Sequence, residues 1–265
     1  MLVRIILSRK GFDSSYGGCA SPILPDGTML SMPIPSEGDA CRFDEIHYAG
    51  KSYAEIWREL KPTGIHNSRC HLDPDIRTGI RENPKDWVPA FGQVNQAEKH
   101  LEQFNIQQGD LFLFFGWFRE TEFLGGRLCF RRDAPDIHAI YGYLQVGKIL
   151  RGKDVGRCYW HPHAKRSEAS NTIYVASSHL SFEGDATSLP GSGTLMFSKA
   201  NILTAPGMSR SKWRLNGIFG EIPLSYHYGG RVKDGYFDSA KRGQEFVFDE
   251  DPRVIKWVKS VILEH

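Results

Sequence analysis

Leu2-Val3-Arg4-Ile5-Ile6-Leu7, running into Ser8-Arg9-Lys10-Gly11-Phe12-Asp13-Ser14-Ser15-Tyr16-Gly17-Gly18, is the stretch from which the rest of the chain is read. A short β-branched and leucine-rich run of this kind predicts a largely buried strand. The break at Ser8 predicts a loop at the strand's exit, where a rigid element can support fixed polar geometry. In that loop Arg9 offers a bidentate fork and Lys10 a point charge, the two chemistries that hold phosphate. Asp13 is a candidate base, or a partner for a ribose hydroxyl. Ser8, Ser14 and Ser15 add hydroxyls, and Gly17-Gly18 would let the backbone approach a ligand closely. The spacing is neither a phosphate-cradling Walker A loop nor GxGxxG after a strand, so no particular nucleotide is specified.

Working outward, residues 20–50 are dense in proline and glycine, with Asp26-Gly27 as a turn between short extended pieces, and predict an irregular arm over the sheet. Ser52 to Leu60 carries Tyr53, Ile56, Trp57 and Leu60 at helical spacing, and Pro62 ends it. Residues 61–92 read as irregular and polar. Gln93 to Phe104 reads as a helix with Val94, Ala97, Leu101 and Phe104 inward. The aromatic run Leu111-Phe112-Leu113-Phe114-Phe115-Gly116-Trp117-Phe118 predicts a strand buried on both faces. A Gly- and Arg-rich loop over 119–136 then leads to a second long strand, His138 to Ile149, with a bulge at Gly142; the two strands are expected to pair. Asn171 to Ala176 and Leu195 to Ser198 are further strand candidates, and Asp251 to Ile262 has one apolar helical face. The expected fold is α+β: a single domain, residues 1–262, with a mixed, twisted central sheet flanked by a few helices and long irregular loops. Leu263-Glu264-His265 reads as an expression-tag remnant.

Composition limits the function classes. The 265 residues carry 33 basic and 31 acidic side chains, and this net charge of +2 does not by itself mark a nucleic-acid binder. No apolar run approaches the ~20 residues of a spanning helix, so a non-secreted, cytoplasmic protein with no membrane partner is expected. The five cysteines, Cys19, Cys41, Cys70, Cys129 and Cys158, are scattered and form no CxxC pair, which argues against a disulfide framework or a Cys-rich zinc site. Locally, Lys148, Arg151, Lys153, Arg157, Lys165 and Arg166 face Asp154 alone, with Tyr159, Trp160, His161 and His163 between them. Basic residues interleaved with aromatics suit a phosphate backbone with stackable bases.

Two further groups could carry chemistry. His66-x3-Cys70-His71-x-Asp73-x-Asp75 is dense in metal-ligand types. No second element at standard spacing completes it, although His161-x-His163 could do so from a distance, and no metal ligand set or cofactor is assigned. His71 is instead a candidate acid or base, with Asp73 to orient it. Trp117 and Tyr143 are candidate stacking surfaces for a base, and His179 and Tyr226-His227-Tyr228-Gly229-Gly230 add further imidazoles.

Ser8 through Ser14, Ser21-Pro22-Ile23 with Pro25-Asp26-Gly27, Gly109 through Gly116, Gly142-Tyr143-Leu144-Gln145-Val146-Gly147 and Gln244-Glu245-Phe246-Val247 together resemble the third of the nucleotide modification-associated domains. That family is grouped by its link to DNA-base modification systems of bacteria and phages, and the resemblance runs from residue 2 to about residue 258. It implies a setting of modified nucleotides without a residue-by-residue catalytic assignment. The two long strands are also similar to the central hairpin of PUA-like modules that read modified bases. The leading expectation is an enzyme that acts on a nucleotide or nucleobase in making, altering or removing a DNA modification. The alternatives are a non-catalytic PUA-like reader, stacking on Trp117 and Tyr143 with residues 148–166 on the backbone, and a metal-dependent nuclease or hydrolase. The expected partner is a nucleotide or modified DNA; oligomeric state is not specified.

Overall fold

A computed structural model of the chain describes residues 3–63, 66–182, 184–226, 231–239 and 245–263. Nine strands form one sheet: β1 (Ile5–Arg9), β2 (Ser21–Ile23), β3 (Ala90–Gln93), β4 (Leu111–Leu124), β5 (Arg127–Phe130), β6 (Ile137–Arg151), β7 (Thr172–Ala176), β8 (Ser192–Thr194) and β9 (Glu245–Val247). The principal order is β9-β1-β4-β6-β7-β3, with β2 and β5 also on β4 and β8 on β6. β1 runs parallel to β4, Ile5 opposite Leu111 through Arg9 opposite Phe115, and antiparallel to β9, Ser8 opposite Glu245. The remaining principal pairs are antiparallel, so the sheet is mixed and β1 lies in its interior.

The apolar runs are continuous because both faces are covered. Ile5 and Leu7 point into a core with Leu113, Phe115, Trp213, Phe246 and the inward face of helix α3 (Pro252–Leu263). Ile6 points the other way, among Phe91, Phe112, Phe114, Tyr174 and Val247. A third core forms around helix α1 (Tyr53–Leu60), which starts in a capping box between Ser52 and Glu55 and buries Tyr53, Ile56, Trp57 and Leu60. Phe12, from the loop after β1, enters this third core with its ring 4.9 Å from Trp57. Gly17, at φ +80°, lets the loop fold back over that ring: a Cβ there would stand 2.3 Å from Phe12.

The described helices are short, and none is long and apolar enough to cross a membrane. The boundaries differ from the sequence reading in three informative places. β1 extends to Arg9, so Ser8 and Arg9 belong to the strand and not to its loop. β4 runs on to Leu124 and turns back through β5, a hairpin where a loop over 119–136 was expected; Arg119, Glu120 and Glu122, half-buried along it, conceal the alternation. Gln93 closes β3, and helix α2 is confined to Asn95–Gln103; of the expected Val94, Ala97, Leu101 and Phe104 stripe Leu101 is buried and the other three are half-buried, while Glu98 and His100 are buried as well. The β4–β6 pairing does shift register between Ile140 and Gly142, at the expected bulge. A strand forms at Ser192–Thr194 in place of Leu195 to Ser198. Leu2, His227 through Gly230, Gln244, Glu264 and His265 lie outside the described residues.

Candidate functional site

A cavity of about 970 Å³ opens where β1 ends. The carboxyl ends of adjacent parallel strands leave a crevice that their exit loops must line. Here the β1 exit contributes Arg9, Lys10, Gly11, Phe12, Asp13 and Tyr16, β4 contributes Trp117, and β6 contributes His138. Two further segments bring the histidine wall. The ribbon in which Cys70–His71 pairs with Ile34–Pro35 delivers His71. Asp73 follows it, with the chain held against β3 by the Asp75 and Ala90 backbones. The 3-10 turn Pro162–Lys165 delivers His163.

His71, Asp73 and His163 are nearly buried, at 7%, 8% and 2% exposure, so each polar atom needs a partner. His71 Nδ1 lies 2.9 Å from Asp39 Oδ2 and His163 Nδ1 lies 2.9 Å from Asn171 Oδ1. Asn171 Nδ2 donates to the His163 carbonyl, which turns its Oδ1 toward the ring. Burial pushes the Asp39 carboxyl up, but hydrogen bonds from His71 and Ser36 and the charges around it hold it below its ordinary value, so it is ionised and only accepts. Both imidazoles therefore donate through Nδ1 and turn Nε2 the other way. Those two Nε2 atoms face each other at 3.2 Å.

Asp73 accepts from the Gly92 amide at 2.7 Å, and its other oxygen lies 3.7 Å from Lys10 Nζ. His161 accepts the His163 amide on Nδ1, which leaves its protonated Nε2 at 3.3 Å from Asp73 Oδ1, out of line for a good hydrogen bond. Burial alone would raise the Asp73 carboxyl; Lys10, His161 and His163 hold it well below the carboxylate range. Burial lowers His163 to about 3. Gly92 is required beside it, since a Cβ there would stand 2.3 Å from the His163 ring. Lys10 Nζ also reaches Glu245 Oε1 at 3.5 Å and sits 4.3 Å above the Phe91 ring. Glu245 accepts from Ser8 and Gln93; burial raises its pKa against the pull of Lys10.

The outer wall is basic and aromatic. Arg210 stacks its guanidinium 4.0 Å from the Trp117 ring centroid and donates to Ser14 Oγ at 2.7 Å. Arg9 lies 5.8 Å and 5.7 Å from the Phe115 and Phe246 rings; Arg166 pairs with Glu168 at 3.3 Å. His138 accepts from Trp213 Nε1 on Nδ1, so it carries its proton on Nε2, and burial together with Arg9 and Arg210 pushes it well below the usual histidine value.

Of the residues singled out from sequence, Arg9, Lys10, Asp13, His71, Asp73, Trp117 and Arg166 line this cavity. Their roles shift. Asp13 Oδ1 accepts the amides of Ser15 and Tyr16, both at 2.7 Å, so it organises the loop. Asp73 does not orient His71; Asp39 does, being on the Nδ1 side. One Trp117 face is occupied by Arg210. Ser8 is turned inward to Glu245, while Ser14, Ser15, Gly17 and Gly18 shape the loop and do not line the cavity. Tyr143 is removed from it altogether, packed in the core with its hydroxyl on the Pro190 carbonyl. In the basic stretch Arg151 reaches Glu98 and Glu102, Arg157 pairs with Asp154, and Lys148, Lys153 and Lys165 are exposed and outside the cavity lining. His66 bonds the Lys61 carbonyl, Asp75 holds Arg81 and Trp87, and His179 is exposed. Asp39, Asn171, His138 and Arg210 were not singled out. His161-x-His163 was the one signal that pointed from a distance to the second histidine wall.

The fold and cavity define an α+β domain with a polar, cation-rimmed pocket at the carboxyl end of a parallel strand pair. The chain belongs to the nucleotide modification associated domain 3 family, whose model matches residues 4–249. No curated protein and no solved structure matches it.

Proposed function

We propose that the chain is an enzyme acting on a nucleotide or nucleobase, in the making, altering or removal of a DNA base modification. The observation that carries this reading is the cavity itself, in which a buried wall of facing imidazoles meets a rim of four cations, Arg9, Lys10, Arg166 and Arg210. Its volume of about 970 Å³ falls in the range of small-molecule sites, enough for a nucleotide. Guanidinium forks and ammonium groups match phosphate. Buried, hydrogen-bonded imidazoles are suited to acid–base or metal chemistry, which favours an enzyme over a site for recognition alone. The family's association with nucleotide modification agrees with this.

The covered face of Trp117 weighs against an open aromatic cage for a flipped base. The test is to incubate the protein with a panel of free deoxynucleotides and modified DNAs and follow mass changes by mass spectrometry. Turnover that vanishes in His71→Ala is the expected result. Tight, saturable binding of modified DNA with no mass change under any condition, and unaffected by His71→Ala, would make the protein a reader instead.

A further inference from the structure

The facing imidazoles set an electrostatic problem. His71 and His163 each turn Nδ1 to a fixed acceptor, so their two Nε2 atoms are brought to 3.2 Å, and a proton or a metal ion between them satisfies both. A shared proton is one solution: 3.2 Å is at the long end of the ordinary range of about 2.7–3.2 Å, and a straight N–H···N bond of that length would set the ring centroids about 5.5 Å apart. A metal ion is the other. An ion at about 2.05 Å from two imidazole nitrogens at a tetrahedral angle places those nitrogens roughly 3.3 Å apart and the ring centroids roughly 5.2 Å apart. The observed separations are 3.2 Å and 5.1 Å.

A third ligand is at hand, since the ligand atoms of His71, Asp73 and His163 all lie within 4.8 Å of one another. The Asp73 carboxylate would close on the ion by about 1–2 Å to reach bonding distance. The outer partners have the form that metal-bound histidines use: one Nδ1–H on a carboxylate, Asp39, and the other on an amide oxygen, Asn171. Gly92 fixes the set from behind, its amide on Asp73 and its missing Cβ leaving room for the His163 ring. Lys10 balances Asp73 from the cavity side at 3.7 Å. All three ligands line the cavity, so the remaining coordination positions open toward it.

We propose that His71, His163 and Asp73 bind one divalent transition-metal ion, of the kind two imidazoles and one carboxylate select (Zn²⁺, Fe²⁺, Co²⁺ or Mn²⁺, in preference to Mg²⁺ or Ca²⁺). The open positions would take water or a substrate oxygen. Only that last statement rests on the nucleotide reading; ion binding rests on the three side chains alone.

The experiment uses the full chain, stripped with a chelator and titrated with Co²⁺, followed by visible d–d absorption and, with Zn²⁺, by calorimetry. One ion per chain at micromolar affinity or tighter is expected, falling at least 100-fold in His71→Gln and in His163→Gln, and unchanged in His66→Gln, whose ring bonds the Lys61 carbonyl elsewhere. Should the two ligand variants fail to fold, the Co²⁺ form of the unmodified protein gives its own readout. Two paramagnetically shifted exchangeable imidazole protons are expected, one Nδ1–H from each histidine. Absent d–d absorption, binding equal in the folded variants, or no shifted imidazole protons overturns the ion. Calorimetry of the stripped protein with deoxynucleoside monophosphates is run alongside: nucleotide bound with no ion sinks the metal site alone, and ion bound with no nucleotide sinks the substrate reading alone.

Discussion

The cavity has two walls of opposite character. On the inner wall His71, Asp73 and His163 are almost fully buried, and each is fixed by a partner from another segment: Asp39, Gly92 and Asn171. On the outer wall Tyr16 is exposed and Arg166 and Arg210 are half-buried, with long side chains anchored at one or two points. Long cationic side chains lose up to ~2 kcal/mol of rotamer entropy when ordered, so a rim of them suits capture that reorders on contact. Short, buried imidazoles and a carboxylate lose little and hold a geometry before any ligand arrives. Under the proposed function the inner wall carries the chemistry and the outer one substrate capture, and variants can separate the two.

The largest effect is expected from Gly92→Ala. Its Cβ would stand 2.3 Å from the His163 ring, which has to move while the Gly92 amide loses its aim at Asp73. A displacement of ~1 Å at a reacting group costs on the order of 100-fold, and overpacking costs about 1–3 kcal/mol of stability. Turnover and Co²⁺ affinity should fall together, with the melting temperature reduced by a few degrees. Unchanged turnover would show that the inner wall tolerates movement, and the contrast between the walls would be lost.

Asp39→Asn tests the same wall one step out. The amide oxygen can still accept from His71 Nδ1, but the charge that favours that tautomer is gone. Partners of this kind are worth about 10–100-fold in metal affinity or activity. A loss near the low end, in Co²⁺ affinity and turnover alike, is expected; an effect on substrate affinity alone would move Asp39 to the capture side.

Arg210→Ala probes the outer wall. It removes the guanidinium from Trp117 and from Ser14 Oγ. If the rim only captures substrate, KM rises roughly tenfold with kcat nearly constant, the signature of lost uniform binding. A fall in kcat larger than the rise in KM would break the division between walls.

These contrasts bear on what the chain disclosed before folding. The strand at Ile5–Arg9, the helix at Tyr53–Leu60, the two paired long strands and the terminal helix were legible because each is a local hydrophobic pattern with its own stop signals. The outer wall was partly legible for the same reason, since Arg9 at the end of β1 and Lys10, Asp13 and Tyr16 in the loop after it are near neighbours in the chain. The inner wall was not. His71 and His163 meet across segments far apart in the chain, and only the pairing of the 70–75 segment with β3 and of β3 with β7 brings them together. Asp39 and Asn171 sit in ordinary polar contexts and gain meaning only from the ring nitrogen each one faces. Tyr143 failed in the opposite way: as an aromatic on a long strand it was equally suited to stack or to pack, and burial on both faces of β6 decided for packing.

The smallest effect on activity is expected from a buried carboxylate outside both walls. Glu98, on α2, has its carboxyl against the Tyr174 hydroxyl at 3.0 and 3.1 Å and Arg151 at 3.6 Å, and burial raises its pKa from 4.5 to about 7 in spite of them. Below pH 4.5 the folded and unfolded chains are both protonated at this site. Between pH 4.5 and about 7 the folded chain keeps the proton that the unfolded chain has released, so this group's contribution to stability falls as pH rises and is fully lost above about 7. The loss is bounded at about 3 kcal/mol, from 1.36 kcal/mol for each pH unit between the two values. Glu98→Gln cannot ionise, so its melting curve should nearly match the unmodified protein's at pH 4.5 and exceed it by several degrees at pH 8, with turnover unchanged. Parallel pH profiles for the two proteins would mean that Glu98 titrates normally. A drop in turnover would mean that the region under β7 takes part in the inner wall, and the boundary between chemistry and scaffold would have to be redrawn through Tyr174.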